Sequence, residues 1–375
     1  MTTRIALLGG FLGAGKTTLI AQVARRYAAA GKRVGIVTND QAAGLVDTHH
    51  LEDQGFDVGE VSGACFCCSF DNLVETVASL AGENPPDLIL AEPVGSCTDL
   101  VATVVLPLQQ MYGDRFELAP FGVLLKPSHG MRILQPQSGR SGFSADAEYI
   151  FRKQLDEADY LMIGRSDQLS PQQIETFREL LAEAAPNVPV LAISPKTGEG
   201  VDDVIGYLQS PQTAGRRVLS IDYERYAAGE AEMGWVNLSA TAEPTEPAQQ
   251  AQANQQHDLD YLSQSLVANI AQQIALAGGE IAHLKASLSG DGCTAVANIV
   301  STDGQLDIGL AAGRPVAAPL QIIVNARVAM DPDQLETICT SATEQLLAST
   351  GLQASGLSAH SLRPGAPQPT HRLNA

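Results

Sequence analysis

Nine residues near the start of the chain have the types and spacing of a phosphate-binding loop. Residues 10–18 read Gly-Phe-Leu-Gly-Ala-Gly-Lys-Thr-Thr. Glycines let backbone N–H groups turn towards an anion, and the N-terminus of a following helix adds partial positive charge. In this signature Lys16, which we expect to be exposed, reaches the β- and γ-phosphates, and the Thr17 hydroxyl holds Mg²⁺. The other predicted nucleotide contacts in the loop are Gly10, Gly13, Ala14, Gly15 and Thr18.

A carboxylate and a glycine farther along the chain extend this predicted site. Residues 87–92 predict a buried strand that ends in Glu92, at the sheet edge where phosphate is bound. We predict that Glu92 acts in catalysis with Lys16 and Thr17 and shares the Mg²⁺ with Thr17. Gly95, three residues on, permits close approach of the backbone to a terminal phosphate.

Three of the six cysteines lie within four residues, as Cys65, Cys67 and Cys68. Such clustering favours metal or redox chemistry over a dispersed disulfide framework. Thiolates bind soft or borderline cations, and Zn²⁺ is the usual occupant of sulfur-rich tetrahedral sites. Ser69 is expected to cap a helix over 70–80, whose dipole favours the thiolate form. The scattered cysteines are interpreted as small buried hydrophobic residues: Cys97, Cys293 and Cys339.

Three sulfurs leave a fourth coordination position open. The candidates for it are Asp40, which ends the predicted strand 34–38, and His49 and His50, which lie in a loop over 41–60 that lacks a regular period. We expect this loop to move with the nucleotide.

A further group of residues is suited to a guanine base. Such a base needs a carboxylate that accepts hydrogen bonds from its N1 and N2 groups, and Asp167 follows the predicted strand 158–163. The stem of Arg165 can cover the base plane. A second loop, which contains Ser194 and Lys196, can back the base with its main chain.

Buried strands and helices alternate along the first half of the chain. This alternation predicts an α/β fold with a P-loop doubly wound parallel sheet. Residues 127–144 are rich in Gly, Ser and Pro and predict a surface loop. The predicted strands are 5–8, 34–38, 57–62, 87–92, 122–125, 158–163 and 188–193, and the predicted helices are 19–27, 70–80, 98–110, 146–157 and one that starts at 171.

The length of 375 residues favours two domains. We place the P-loop domain at 1–215 and a smaller α+β domain at 257–350. Between them, 216–256 comprises connecting strands at 218–223 and 234–239 and a low-complexity linker from 241. Residues 351–375 are predicted to be a flexible tail.

Composition excludes some classes of partner. The net charge is −19, and an acidic surface repels phosphate backbones and anionic lipid, so we expect neither nucleic acid nor a membrane. No run reaches the roughly 18 apolar residues of a membrane span. The apolar stretch 5–14 continues into the phosphate loop without the ending of a signal peptide. The predicted location is cytoplasmic.

These motifs together resemble those of the CobW-type P-loop GTPases, a metallochaperone family grouped with the nickel-insertion GTPases of hydrogenase and urease. The resemblance covers most of the chain. It rests on residues 10–18, 39–40, 63–68, 92–95, 153–159 and 194–200, and the strand near 281–285 is similar to the family's C-terminal domain.

The resemblance implies a SIMIBI-like GTPase domain followed by a smaller α+β domain, with GTP and Mg²⁺ bound and Zn²⁺, Co²⁺ or another divalent metal handled. The implied metal ligands are Asp40, Cys67 and Cys68. The chain departs from the family in three places. The guanine signature Asn-Lys-x-Asp is replaced by residues 164–167, Gly-Arg-Ser-Asp, which weakens the implied base specificity; Asp40 replaces a common Glu; and a His-rich segment is missing.

We interpret the chain as a GTPase that couples nucleotide state to metal handling, as a metallochaperone or a metallocofactor-insertion factor. Its expected partners are guanine nucleotide and a client metalloprotein chosen by the C-terminal module, and a homodimer is compatible with the sequence. Two alternatives stay open. One is a P-loop kinase or ATPase that acts on a small molecule, and the other is a metal-sensing regulator with little turnover.

Overall fold

The computed structural model describes residues 2–39, 46–52, 54–82, 84–135, 143–212, 214–215, 217–245, 255–300 and 304–374, with the backbone alone at 47, 49 and 50. The chain divides into two compact units. The first comprises Met1–Gln41, Gly55–Glu230 and Ala366–Ala375, and the second comprises Ala42–Gln54 and Ala231–Gly365. The first unit thus extends beyond the predicted boundary at 215 and includes the end of the chain.

The first unit is built on an eight-stranded sheet in the order β3-β2-β4-β1-β6-β7-β8, with β5 also paired to β1. All pairings that the structure describes in it are parallel, which confirms the predicted doubly wound sheet. The central strands are buried on both faces, which explains their continuous apolar runs. The strands are β1 Thr3–Gly9, β2 Val34–Asn39, β3 Asp57–Val61, β4 Leu88–Glu92, β5 Phe116–Leu118, β6 Gly122–Leu125, β7 Tyr160–Ile163 and β8 Val190–Ala192.

Helices connect these strands. Several begin where the sequence supplies a start signal: Ser170 caps its helix in a reciprocal capping box with Gln173, and Pro171 occupies the first turn. Ser69 precedes its helix as predicted, but its side chain makes no capping hydrogen bond. The helices of the first unit are α1 Lys16–Ala29, α3 Phe70–Ala81, α4 Leu106–Tyr112 (preceded by a π-helical turn, Val101–Val105), α5 Pro127–Leu134, α6 Ala145–Glu157, α7 Pro171–Ala184, α8 Val201–Leu208 and α9 Tyr223–Ala231, while α2, Val46–Glu52, lies in the second unit.

The second unit has a six-stranded antiparallel sheet in the order β13-β12-β11-β15-β9-β16. Two long helices pack on it, and the shared core is aliphatic. Helix α2 also contacts this sheet, and the backbone N–H of Val46 donates to Asn325 Oδ1 at 2.8 Å. The elements are β9 Gly234–Pro244, β10 Gln256–His257, α10 Leu259–Leu276, β11 Glu280–Gly290, β12 Cys293–Ile299, β13 Asp307–Leu310, β14 Val316–Ala317, β15 Leu320–Ala329, α11 Pro332–Ser349 and β16 Leu352–Leu362.

Four sequence expectations are wrong in whole or in part. The predicted loop 127–144 begins with helix α5, because Pro127 starts the helix and Gly130 leaves room for Phe177, whose ring would lie 2.3 Å from an added Cβ. Residues 218–222 form no strand, and Tyr223 opens helix α9. The predicted flexible tail begins with strand β16, which pairs with β9. Of the predicted linker, residues 241–244 belong to β9, and 246–254 lie outside the described residues.

Within the described ranges, no helix is both long enough and apolar enough to cross a bilayer.

A fully buried carboxyl group fixes the π-helical turn to α6. Glu157 accepts hydrogen bonds from the Thr98 hydroxyl at 3.0 Å and from the Val101 backbone N–H at 3.2 Å. Burial raises the pKa of Glu157 to about 8. Native protein therefore keeps the proton over a pH range, from roughly 4.5 to 8, in which the unfolded chain has lost it.

Glu157→Gln should accordingly change how stability depends on pH. The Glu157 contribution is fully present below the unfolded pKa and is lost as pH rises to about 8, by at most about 1.4 kcal/mol per pH unit. Gln keeps an acceptor oxygen and does not titrate. Urea unfolding at pH 5.5, 6.5 and 7.5 should show the variant gaining on the parent with rising pH, and parallel curves would contradict the assignment.

Candidate nucleotide and metal site

The phosphate loop has the backbone geometry that its glycines allow. Gly10, Gly13 and Gly15 have φ values of 141°, 70° and 99°, in the region that side chains disfavour. A Cβ on Gly10 would lie 2.2 Å from the carbonyl oxygen of Leu124, so β6 packs directly behind the loop. The loop then opens into α1, whose N-terminus presents Lys16 and Thr17.

Three predicted catalytic residues converge where β1 and β4 end. The Thr17 hydroxyl donates to Glu92 Oε1 at 3.1 Å, and Lys16 Nζ lies 3.8 Å from the same oxygen. Lys16 is not exposed as expected but 7% exposed, because its ammonium group also donates to the Gly10 carbonyl at 3.1 Å. A hydroxyl beside a carboxylate is a donor set that suits Mg²⁺, so these residues fit the predicted cation.

The segment after Glu92 packs against the phosphate loop. A Cβ on Gly95 would lie 3.0 Å from the backbone nitrogen of Leu12, so the close approach at Gly95 is to the loop itself. The side-chain amide of Gln154 donates to the carbonyls of Gly95 and Cys97, at 3.0 and 2.9 Å. This segment is therefore held between the phosphate loop and α6.

The predicted base-binding residues lie at the ends of β7 and β8. Asp167 is exposed, and Arg165 is half-buried with φ 55°, a left-handed conformation. The backbone N–H of Ser166 donates to the Ile193 carbonyl at 3.1 Å, which joins this turn to the loop of Ser194. Ser194 is fully buried and accepts from the Thr197 N–H, whereas Lys196 is exposed. Thr18, at the start of α1, is also exposed.

Sequence reasoning missed a buried basic pair near this edge. Lys126 directly follows β6, and its Nζ lies 3.1 Å from Nε2 of His129. Burial, with Arg165 and Arg132 nearby, lowers the pKa of Lys126 to about 8, and burial beside Lys126 lowers that of His129 to about 3. The His129 ring also packs edge-on against Phe11 of the phosphate loop, 6.2 Å between centroids. Lys126 comes directly after a buried strand, and this position was the sequence signal that could have identified it.

The three clustered thiols converge as a metal site requires. The sulfur of Cys65 lies 2.9 Å from that of Cys67 and 3.4 Å from that of Cys68, and the last two are 3.7 Å apart. Sulfurs around a tetrahedral Zn²⁺ with bonds of about 2.3 Å are about 3.8 Å apart, so the thiols need move little to bind it. We call these residues the thiol cluster. Their soft donors fit the predicted transition metal.

Hydrogen bonds among the thiols concentrate negative charge on one sulfur. Hydrogen bonding with the Cys67 and Cys68 thiols lowers the pKa of Cys65. The hydrogen bond with Cys65 raises the pKa of Cys67 and, to about 11, that of Cys68. Metal binding must therefore displace protons from these two sulfurs.

The buried amide of Asn39, the last residue of β2, fixes the loop that carries the thiol cluster. Its Nδ2 donates to the carbonyls of Val61 and Ala64, at 2.9 and 2.8 Å. Its Oδ1 accepts the backbone N–H of Phe66 at 2.9 Å. The neighbouring candidate ligand Asp40 lies outside the described residues, as do the side chains of His49 and His50.

The end of the chain, predicted to be flexible, packs on the thiol cluster. In residues 366–374, which we call the C-terminal segment, the Gln368 N–H donates to the Cys68 sulfur at 3.2 Å, and the Thr370 N–H donates to the Cys67 carbonyl at 2.8 Å. Arg372 Nε then donates to the buried carboxylate of Asp99 at 2.8 Å. Such long-range packing has no local sequence signal.

Comparison with known proteins identifies the family. The family model described as the CobW/HypB/UreG nucleotide-binding domain matches residues 4–192. The chain belongs to the CobW/HypB/UreG family. The resemblance in the motifs is thereby confirmed, and the matched part contains the phosphate loop, Glu92, the thiol cluster and Asp167.

Curated relatives of this CobW/HypB/UreG protein are similar over about half of its length. The zinc chaperone CobW of Sinorhizobium sp is 26% identical over 52% of this chain and 59% of its own. The zinc chaperone YeiR of Escherichia coli K12 is 28% identical over 47% of this chain and 50% of its own. The chain thus matches only half to three fifths of the length of these relatives. The crystal structure of the zinc-bound YjiA GTPase of E. coli covers 91% of this chain and 99% of YjiA, but with 13% identity and a TM-score of 0.37 it supports no residue-level argument.

Arg372→Ala should loosen the C-terminal segment and expose Cys68. A hydrogen bond to a charged group contributes about 1.5–3 kcal/mol, so the opened population should rise by roughly tenfold or more. The rate of Cys68 alkylation, followed by mass spectrometry of the peptide, measures this. Arg363→Ala, which removes an exposed arginine of the second unit, is the matched control. Equal Cys68 rates in all three proteins would show that Arg372 does not hold the segment.

Proposed function

We propose that this protein is a GTP-dependent metal chaperone. It binds GTP at the phosphate loop, hydrolyses it, and uses the change of nucleotide state to control a transition metal at the thiol cluster. The metal, with Zn²⁺ the best candidate, is its cargo for a client metalloprotein.

The observation that carries this proposal is the pairing of β2 with β4. Thr38 lies opposite Glu92 in the register of these two parallel strands. Glu92 is hydrogen-bonded to Thr17, and Asn39, the residue after Thr38, holds the thiol loop. A carboxylate of the nucleotide site and the anchor of the metal loop thus occupy adjacent positions on neighbouring strands.

Each group at the nucleotide site has a proposed role. Lys16 neutralises the β- and γ-phosphate oxygens, while Mg²⁺ held by Thr17 and Glu92 would offset the remaining phosphate charge. Asp167 accepts from guanine and Arg165 covers the base, with Ser194 and Lys196 on the second loop. Backbone N–H groups of residues 10–18 complete the phosphate cradle.

The thiol cluster binds the cargo through Cys65, Cys67 and Cys68, with Asp40 as the proposed fourth ligand. Two curated relatives are named zinc chaperones, which supports Zn²⁺ as the cargo here. A site whose fourth ligand is a loop carboxylate can exchange it, as delivery to a client requires. The second unit, into which residues 42–54 are built, is the proposed client-binding part.

Lys16→Ala should weaken GTP binding by roughly tenfold or more, because one charge-assisted contact contributes about 1.5–3 kcal/mol. Titration with a fluorescent GTP analogue measures the affinity, and circular dichroism checks the fold. Lys32→Ala, at an exposed lysine, is the control. Unchanged GTP binding by folded Lys16→Ala protein would refute the phosphate-loop assignment.

Zn²⁺ affinity should differ between nucleotide-free, GDP-bound and GTP-analogue-bound protein. Couplings of this kind amount to about 1–3 kcal/mol, or roughly 5–150-fold, and the metal must change nucleotide affinity by the same factor. Competition with a chromophoric chelator measures Zn²⁺ affinity in each state. The Zn²⁺ affinity should also decrease as the pH is lowered, because the Cys67 and Cys68 thiols must lose protons to bind the metal.

Two variants accompany this experiment. The double variant Cys67→Ala/Cys68→Ala removes two thiols of the cluster, and Cys293→Ala is its control because Cys293 lies in the second unit. Only the first should lose Zn²⁺. Identical affinities in the three nucleotide states would remove the coupling while leaving a metal site. Full Zn²⁺ binding by the double variant would remove the metal site itself.

A further inference from the structure

The three residues of the thiol cluster differ in their exposure to solvent. Cys65 and Cys67 are 3% and 1% exposed, whereas Cys68 is half-buried. The route by which a cation reaches the cluster therefore passes Cys68. The C-terminal segment lies at this point, because the backbone N–H of Gln368 donates to the Cys68 sulfur at 3.2 Å.

Further contacts hold the C-terminal segment against the backbone beside that sulfur. Thr370 donates from its backbone N–H to the Cys67 carbonyl at 2.8 Å and from its hydroxyl to the Cys68 carbonyl at 3.2 Å. The ring of His371 packs edge-on against Phe70, the first residue of α3, with 5.0 Å between centroids. The segment therefore covers the half-buried sulfur through several contacts and not through one alone.

The far end of the C-terminal segment is attached to the part of the chain that follows Glu92. Arg372 Nε donates to the carboxylate of Asp99, which is 1% exposed, at 2.8 Å. The Leu373 N–H donates to the Ala102 carbonyl at 2.9 Å. Hydrogen bonds to a charged group are stronger than those between neutral groups, so Arg372 makes this the firmly held end of the segment.

The residues after Glu92 also contact the nucleotide site. Glu92 itself accepts from the Thr17 hydroxyl, and Gly95 packs against the phosphate loop at Leu12. Because closely packed segments shift as units and do not deform continuously, a displacement at Gly95 is passed along the chain to Asp99. One short stretch, residues 92–102, thus connects the phosphate loop with the attachment of the C-terminal segment.

We propose that the C-terminal segment is a lid on the thiol cluster, and that nucleotide state opens or closes it through residues 92–102. This inference rests on the proposed function and deepens it, because it identifies the step at which the nucleotide controls the cargo metal. With the lid closed, the metal enters and leaves the cluster slowly. With Gln368 and Arg372 withdrawn, it enters and leaves fast.

The contact between the lid and the sulfur can be tested with a matched pair of variants. Gln368→Pro removes the N–H that donates to Cys68, at an exposed position that already lies between Pro367 and Pro369. Gln368→Ala loses the side chain but keeps the N–H. The rate of Cys68 alkylation in metal-free protein measures opening. Gln368→Pro should react about 2–10-fold faster than the parent, the factor that one neutral hydrogen bond contributes, and Gln368→Ala should match the parent.

Nucleotide control is tested on the same reaction and on Zn²⁺ exchange. In the parent, the Cys68 alkylation rate should differ between nucleotide-free, GDP-bound and GTP-analogue-bound protein. In Arg372→Ala, which cuts the attachment to Asp99, the three rates should converge on a faster value. Transfer of Zn²⁺ to a chromophoric chelator, followed by stopped-flow absorbance, should show the same order of rates. Arg363→Ala, at an exposed arginine of the second unit, should keep the nucleotide dependence of the parent.

The outcomes separate this inference from the proposed function. Equal Cys68 rates in the parent, Gln368→Pro and Gln368→Ala would overturn the lid, and equal rates in the three nucleotide states of the parent would overturn its control by nucleotide. Zn²⁺ binding by the thiol cluster would stand in either case. A nucleotide dependence that survives in Arg372→Ala would overturn the route through Asp99.

The converse result is also distinguishable, because alkylation needs no metal. A parent that binds no Zn²⁺, but whose Cys68 rates change with nucleotide as expected, would overturn the chaperone function and support the lid. If Gln368→Pro fails to fold by circular dichroism, the comparison of the parent with Arg372→Ala decides.

Discussion

The amide of Asn39 is the constraint on which the arrangement of the first unit depends. Both polar atoms of this buried side chain form hydrogen bonds: Nδ2 donates to two backbone carbonyls, and Oδ1 accepts from one backbone N–H. Since each unsatisfied buried group costs about 1–3 kcal/mol, the thiol loop cannot leave this position cheaply. A residue that shares no chemistry with metal or phosphate therefore determines where the proposed metal ligands lie. The Asn in the sequence motif 39–40 is explained by this positioning role.

Parallel pairing brings the rest of the site to the same edge. The carboxyl ends of neighbouring parallel strands meet at one edge of the sheet. Glu92 pairs with Thr38, the residue before Asn39, so Glu92 and Asn39 lie close together although they are far apart in sequence. Between Gln41 and Gly55 the chain enters the second unit, where Val46 is hydrogen-bonded to Asn325. The connection that follows β2 is thus anchored in the second unit before the chain returns to β3 and the thiol loop.

How much of this could be predicted depended on whether the signal was local. The phosphate loop, the strand that ends in Glu92 and the thiol cluster are each defined by a few consecutive residues, and the sheet followed from alternating apolar runs. Helix α5 was missed because Gly130, a breaker by composition, is required there by the ring of Phe177. The packing of the C-terminal segment and of Cys97 depends on contacts across hundreds or tens of residues, which no local pattern encodes. Lys126 had a local signal, and the prediction did not use it.

At the proposed metal site, the chemistry of the thiol cluster favours exchange of a metal over permanent retention. Hydrogen bonding keeps charge on Cys65 while it raises the pKa of Cys67 and Cys68, so protons compete with a cation for two of the three sulfurs. The N–H of Gln368 donates to Cys68, which draws electron density from that sulfur and weakens it as a ligand. A structural zinc site needs the opposite, because its metal must stay bound for the life of the fold. A cargo metal at the proposed site would therefore compete with protons for Cys67 and Cys68, which suits a metal that has to be released to a client.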